Sequence, residues 1–205
     1  MYSPRPFVVE NPDFIKKFIS QYPFAILFSN DGQITHLPIN LFNNGRLYAH
    51  CAKANPHASL EPGTAVTAVF SGPHAYISPN YYATDFNVPT WNYSTVHCRA
   101  SISYIDGEAE TWRLFCEMVS VHEGADGWHL PDEQRYRNLL NGIRFFELCN
   151  PEFDAKLKFN QNKSGDDVLS VFAHLRKTNP EAAGLMILAN KVVHAEILKH
   201  AGETD

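Results

Sequence analysis

The segment from Asn92 to Ile105 alternates more cleanly than any other part of the chain. Val96, Cys98, Ala100, Ile102 and Tyr104 fall on one side, and Thr95, His97, Arg99, Ser101 and Ser103 on the other. Successive side chains of a strand point to opposite faces, so this pattern predicts one long strand with an apolar and a polar face. A strand buried on both faces would be apolar throughout. The chain is therefore expected to build an antiparallel sheet or barrel, and its class is mainly β with flanking helices (α+β).

Neighbouring segments fit that frame. Phe24 to Phe28 is a short apolar run suited to a buried strand, and Asn30-Asp31-Gly32 turns it into a second strand from Ile34 to Phe42. Asn43-Asn44-Gly45 turns the chain again, and Arg46 to Cys51 returns antiparallel, with Phe42 facing Arg46 and Pro38 near His50. That register places Leu37, Ile39 and Leu41 on one face with Leu47, Ala49 and Cys51. The other face carries His36, Asn40, Tyr48 and His50, and meets either solvent or a ligand. Beyond it, Lys53 and Asn55 offer a charge and donors for an anion where a short helix starts at Asn55-Pro56.

Helices are expected from Asn11-Pro12 to near Tyr22-Pro23, with Phe14, Ile15, Phe18 and Ile19 as its stripe, and from about Glu108 to Glu123. The second should bury Trp112, Phe115, Met118, Val119 and His122. Another helix starts at Pro131-Asp132 and runs through Tyr136, Leu139 and Leu140. Ile143 to Cys149 reads as a strand closing on Asn150-Pro151, and Lys156 to Lys163 as a basic, amide-rich loop that can contact an anion. From Ser164 the pattern is helical: Val168, Leu169, Phe172 and Leu175, a break at Asn179-Pro180, then Leu185 to Ile197. The expected division is a barrel domain over 1–163 and a helical segment over 164–205.

Phe70 to His97 is the segment hardest to assign. Phe70, Tyr76, Tyr81, Tyr82, Phe86, Trp91 and Tyr93 stand among Gly72, Pro73, Pro79 and Pro89. That mixture suits neither a regular helix nor an uninterrupted central strand. Its rings and interleaved polar residues suit the wall of a site for a flat ligand, or a subunit interface.

Charge narrows the partners. The 205 residues carry a formal net charge of −5, against the excess of Lys and Arg that nucleic acid or an anionic membrane surface attracts. The last two helices resemble a helix-turn-helix in spacing, yet Lys163 to Asp205 holds Lys163, Arg176, Lys177, Lys191 and Lys199 against Asp166, Asp167, Glu181, Glu196, Glu203 and Asp205. Direct binding to nucleic acid is not expected. Neither a signal peptide nor a membrane-spanning run is present, and four scattered cysteines read as reduced thiols of the cytoplasm. The cysteines form no CxxC and the histidines no HxxxH, so no metal site is expected. Nucleophile elbows and phosphate-binding glycine loops are missing, and no residue is marked as catalytic. Aromatics, histidines, amides and a few cations without a nucleophile describe a cradle for a cofactor that carries the chemistry itself.

Seven ordered segments give the chain a family resemblance. Met1-Tyr2-x-Pro4, Pro23-Phe24, Thr35-His36-Leu37-Pro38, His50-x-Ala52-Lys53-Ala54-Asn55-Pro56, Phe70-x-Gly72 through Pro79, Pro89-Thr90-Trp91-Asn92-Tyr93 and Lys158-x-x-Gln161-Asn162 resemble the PaiB-like family. These are FMN-binding split-barrel proteins, often called negative transcriptional regulators. The resemblance implies an antiparallel FMN-binding split β-barrel with C-terminal helices, and a homodimer with flavin sites at the interface. It implies that Thr35, His36, Leu37 and Pro38, with His50, Ala52, Lys53 and Asn55, cradle the flavin and its phosphate. Trp91, Asn92 and Tyr93 would line the site, and Lys158, Gln161 and Asn162 would close it. Lys53 is the phosphate contact expected on charge. The chain departs from the family at Phe159-Asn160, where Leu-Ser is usual, and at Cys98-Arg99-Ala100, which replaces a more apolar stretch containing glycine. A flavin-dependent oxidoreductase, a regulator acting without flavin catalysis, and a haem protein using His36, His50, His74 or His97 are the functions this leaves.

Overall fold

The computed structural model describes residues 1–124, 126–191 and 193–196. Seven strands form the sheet: β1 (Val8–Val9), β2 (Phe24–Ser29), β3 (Ile34–Leu41), β4 (Leu47–Ala52), β5 (Ala65–Ile77), β6 (Thr90–Ile105) and β7 (Ile143–Lys158). Their order is β1-β7-β4-β3-β2-β5-β6, and β6 also pairs with β7. That last pairing closes β7, β4, β3, β2, β5 and β6 into an antiparallel six-stranded barrel, with β1 as an extra strand on β7. The helices are α1 (Pro12–Gln21), α2 (Glu108–Glu123), α3 (Gln134–Leu139), α4 (Gly165–Thr178) and α5 (Pro180–Ala189).

By their contacts the residues fall into two compact units, interleaved along the chain. One holds Pro12–Phe70 and His97–Phe153, without the undescribed residue 125; the other holds Met1–Asn11, Ser71–Val96 and the described residues from Asp154 onward. The helices α4 and α5 group with Met1–Asn11 and Ser71–Val96.

In the first unit, pairing follows the alternation of the sequence. Leu41 lies opposite Leu47, Asn40 opposite Tyr48 and Ile39 opposite Ala49, and the Phe42 N–H donates to Arg46 O at 3.0 Å. This is the register expected from the Asn43-Asn44-Gly45 turn. Ala25 and Leu27 of β2, Leu37 and Ile39 of β3, Leu47 and Ala49 of β4, and Phe146 and Leu148 of β7 are all buried on one connected face. On the opposite face, Phe42, Tyr48 and Phe145 form a second core with Leu114 and Met118 of α2. Leu114 is fully buried, whereas His122, expected inside, is exposed. The helix packs through its Leu114–Met118 line, and its final turn lines a groove with Pro38 of β3.

Two long strands run through prolines that the sequence reading takes as breaks. β5 continues to Ile77 through Pro73, because its register with β2 ends at Phe70 and the missing N–H forfeits no bond on that side. β7 continues to Lys158 through Pro151, which falls after the last pair with β4, Leu148, and before the first with β1, Ala155. Asn150 absorbs the irregularity with φ 52°, a left-handed conformation that asparagine tolerates. Lys156–Lys158 is therefore strand, and only the rest of the expected basic loop is turn.

In the second unit, Val168, Val171, Phe172 and Leu175 of α4 and Ala182, Ala183, Leu185 and Met186 of α5 are buried. Asn179 joins the two helices: its Oδ1 accepts the Ala182 N–H at 3.1 Å and its Nδ2 donates to His74 O at 3.0 Å. The expected apolar positions Val192 and Ile197 lie outside the described residues.

Candidate functional site

The first unit fixes the loop after β4 from several directions. Asn55 caps the short helix Pro56–Ser59, its Oδ1 accepting the His57 N–H at 2.9 Å. Thr35 of β3 closes the same knot, with Oγ1 2.9 Å from His57 Nδ1 and 3.2 Å from Asn55 Nδ2. His57 is fully buried, and its Nε2 has no partner among the described residues. Burial holds its pKa below the usual histidine value, against a smaller opposing pull from Asp31. Tyr104 of β6 donates its hydroxyl to His57 O at 2.6 Å, and the Arg144 guanidinium of β7 lies 3.6 Å from the centre of the Tyr104 ring while donating to Ala58 O.

Lys53 stands at the end of this knot. Its N–H donates to Gly142 O at 2.9 Å, and its exposed ammonium has no partner among the described residues. The structure thus gathers Thr35, Lys53 and Asn55 around one rigid loop. Other expected residues of this unit point elsewhere. Leu37 is core, Ala52 and His36 are exposed, and Pro38 lines an apolar groove with Phe115, Met118 and Val119 of α2. His50 packs between Phe145, at 5.0 Å between ring centres, and Phe115, at 6.1 Å. Its Nδ1 is unpartnered among the described residues, and burial lowers its pKa. The polar face of the β3–β4 hairpin therefore meets α2, with Asn40 and Tyr48 buried, instead of lying open.

In the second unit, Lys158 Nζ donates to Thr90 Oγ1 at 2.6 Å and to Trp91 O at 2.9 Å. Burial lowers the Lys158 pKa, partly countered by Tyr93 and reinforced by Lys156. Lys156 itself is buried, 5.1 Å from the centre of the Tyr93 ring. Trp91 is 54% exposed and meets His74 and Tyr76 edge-on, at 5.8 and 5.9 Å. Trp91, Tyr93 and Lys158 thus form an aromatic wall around a held cation. Asn92 alternates away from it, fully buried, with Nδ2 bonded to Asn160 Oδ1. Gln161 is spent on its own turn: its Nε2 donates to Leu157 O and its Oε1 accepts the Phe159 N–H. Asn162 is exposed.

Arg144, Tyr104 and His57 were not among the expected site residues. Arg144 carried a signal, a lone cation inside the apolar run Ile143–Leu148, but its partners are distant in sequence. No cluster of His, Cys, Asp or Glu able to hold a metal occurs among the described residues.

Comparison with known proteins gives the chain a family and its fold solved relatives. A family model described as "Putative FMN-binding domain" matches residues 1–149. The chain is 32% identical over 193 residues to the "Protease synthase and sporulation protein PAI 2" of Bacillus subtilis, covering 89% of this chain and 93% of that protein. Among solved structures, a flavocytochrome of Azotobacter vinelandii superposes with a TM-score of 0.59 at 15% identity, covering 74% of this chain and 69% of that one. A FAD- and haem-binding protein of Mycobacterium smegmatis gives 0.58 at 11% identity, covering 80% and 78%.

Proposed function

The chain belongs to the FMN-binding domain family, with FMN as its cofactor, and on that premise we propose that it is a flavin-dependent oxidoreductase working as a homodimer in the cytoplasm. The flavin ring rests on the wall of Trp91, Tyr93 and Lys158. One observation carries this reading. Lys158 is a partly buried cation bonded only to neutral oxygens, beside the exposed ring of Trp91. Desolvation disfavours its charge, and an electron-rich flavin in contact would offset that cost. When bound, FMN supplies electron or hydride transfer at its ring. The protein's own part is to orient the ring, with Lys158 pinned by Thr90, and to set the charge beside it.

A second copy is supported by the outer face of β2, β3 and β5 in the first unit. Phe24 and Ile34 are 63% and 58% exposed there, and Ile26, Phe28 and Val69 are half-buried on the same side. Faces of this kind favour association. The cytoplasmic placement is supported by the four unpaired cysteines. No helix among the described residues is long and apolar enough to cross a membrane.

The absorption spectrum of the purified protein, with and without added FMN, tests the reading. We expect flavin bands that stay with the protein through gel filtration at twice the mass of one chain, and that bleach on reduction. Absence of bound flavin in both samples overturns it, and a Soret band in its place assigns haem instead. A regulator of transcription acting on DNA would show salt-sensitive, sequence-selective binding in a mobility-shift assay. None is expected, given the acidic balance of residues 163–205.

A further inference from the structure

The face of the β3–β4 hairpin that α2 covers holds a polar side chain with nothing to bond. Pro38, Asn40 and Phe42 alternate onto that face, and Asn40 lies opposite Tyr48 of β4. Asn40 is 1% exposed, yet neither its Oδ1 nor its Nδ2 has a partner among the described residues. A buried amide left open in this way costs the desolvation of both its donor and its acceptor. Leucine, of similar volume, would serve the packing better.

Beside Asn40 the same face opens into a groove of about 230 Å³, lined by Pro38 of β3, by Phe115, Met118, Val119 and Glu123 of α2, and by Trp128. Met118 links the groove to the amide, because it also packs with Phe42 and Tyr48, the neighbours of Asn40 on that face. Pro38 and Met118 thus bracket Asn40 at the inner end. Trp128 is 50% exposed, with its ring edge-on to Tyr136 at 6.4 Å and its backbone N–H donating to Glu123 Oε2 at 3.4 Å. Glu123 is exposed, and no lysine or arginine lines the groove among the described residues. A charged ligand drawn inside would therefore be desolvated without a partner.

We propose that this groove binds a flat, uncharged ring bearing an amide edge, the class of the aromatic carboxamides, with the ring against Phe115 and Trp128 and the amide paired to Asn40. Asn40 Nδ2 donates to the ligand's carbonyl and Oδ1 accepts its N–H, so one occupant closes both open groups. A ketone closes only one of them, and an aliphatic chain neither. The apolar lining with a single convergent polar group is the usual make-up of a small-molecule site. The site lies wholly within the first unit and does not depend on the flavin reading.

Benzamide and acetophenone share a phenyl ring and a carbonyl, and only benzamide carries the N–H, so their affinities for the full chain, measured by NMR shift titration, isolate the Asn40 contact. The wild type should bind benzamide with a Kd of about 1 mM or tighter, and acetophenone about tenfold more weakly. Asn40→Leu should bring the two within about twofold and keep or raise the urea midpoint, because it removes both open groups. Trp128→Ala, at an exposed position, should weaken both probes at least about threefold and keep the preference. Saturating FMN should leave the benzamide affinity as it was. Binding of neither probe, equal wild-type affinities, a preference that survives Asn40→Leu, or unchanged affinities in Trp128→Ala each overturn the proposal. A lower urea midpoint for Asn40→Leu overturns it too, by showing that the fold already satisfies the amide, as an ordered water would. Displacement of benzamide by FMN overturns it by giving the groove to the flavin, and leaves the flavin reading standing.

Discussion

Replacing Thr35 by Val probes the knot that holds the Lys53 loop. The hydroxyl lies 2.9 Å from His57 Nδ1 and 3.2 Å from Asn55 Nδ2. His57 is fully buried and its Nε2 already lacks a partner, so the substitution leaves both ring nitrogens unpaired in the interior. Orphaning a buried polar group costs about 1–3 kcal/mol. The bond to Asn55 is longer and only half-buried, and an amide that can turn toward water adds little to this sum. The expected loss is therefore about 1–3 kcal/mol, read as a lower urea midpoint with an unchanged slope. Thr67→Val, on the outer face of β5, should stay within about 0.5 kcal/mol. A double-mutant cycle identifies the cause. With His57→Phe already in place no imidazole remains to be orphaned, so Thr35→Val should cost under about 0.5 kcal/mol. Equal costs in the two backgrounds would refute the argument and show that Thr35 acts through packing alone.

Two further outcomes follow from burial. Burial lowers the pKa of His50, packed between Phe115 and Phe145, so below about pH 6.5 the unfolded chain binds a proton that the folded one resists. Stability should hold at neutral pH and fall as the pH drops from there toward the folded-state pKa; His50→Gln should flatten that fall in urea titrations at pH 7.5 and 5, and an unchanged fall counts against it. Burial pushes the thiols of Cys51 and Cys98 up to about 11 and about 12, which leaves almost no thiolate at pH 8. Ellman's reagent should spare both in the native protein and label them on unfolding, whereas rapid native labelling of either would contradict their burial.

Much of the fold was legible because strand alternation and turn chemistry are local. The β3–β4 register follows from the Asn43-Asn44-Gly45 turn, and α2 begins and ends at the residues its pattern predicts. What the sequence concealed depends on which face a neighbour covers. His36, Asn40, Tyr48 and His50 look alike as a polar strand face, yet α2 buries Asn40 and Tyr48 and leaves His36 exposed. Pro73 and Pro151 read as breaks because the sequence does not show where a strand's partner ends. Within the candidate site, Lys53 and Asn55 read as a charge and donors at a helix start, and Trp91 and Tyr93 as part of an aromatic wall, whereas Thr35 came only with the family resemblance. Gln161 looked equally available, but its amide is consumed within its own turn.

Arg144 shows why the rest of the site could not be read locally. On β7 it shares a side with Phe146 and Leu148, which fill the core opposite Ala49 and Leu47, while Phe145 faces His50 and α2. A slip of one residue would turn Phe146 and Leu148 out of the barrel core and carry the charge of Glu147 into it, at a large desolvation cost. The same constraint fixes Arg144 opposite Cys51, over the Tyr104 ring and beside the loop that bears Lys53. Lys53 and Arg144, 91 positions apart in the chain, thus line one cleft because the core admits a single register. The cleft's charge is a consequence of how the barrel packs.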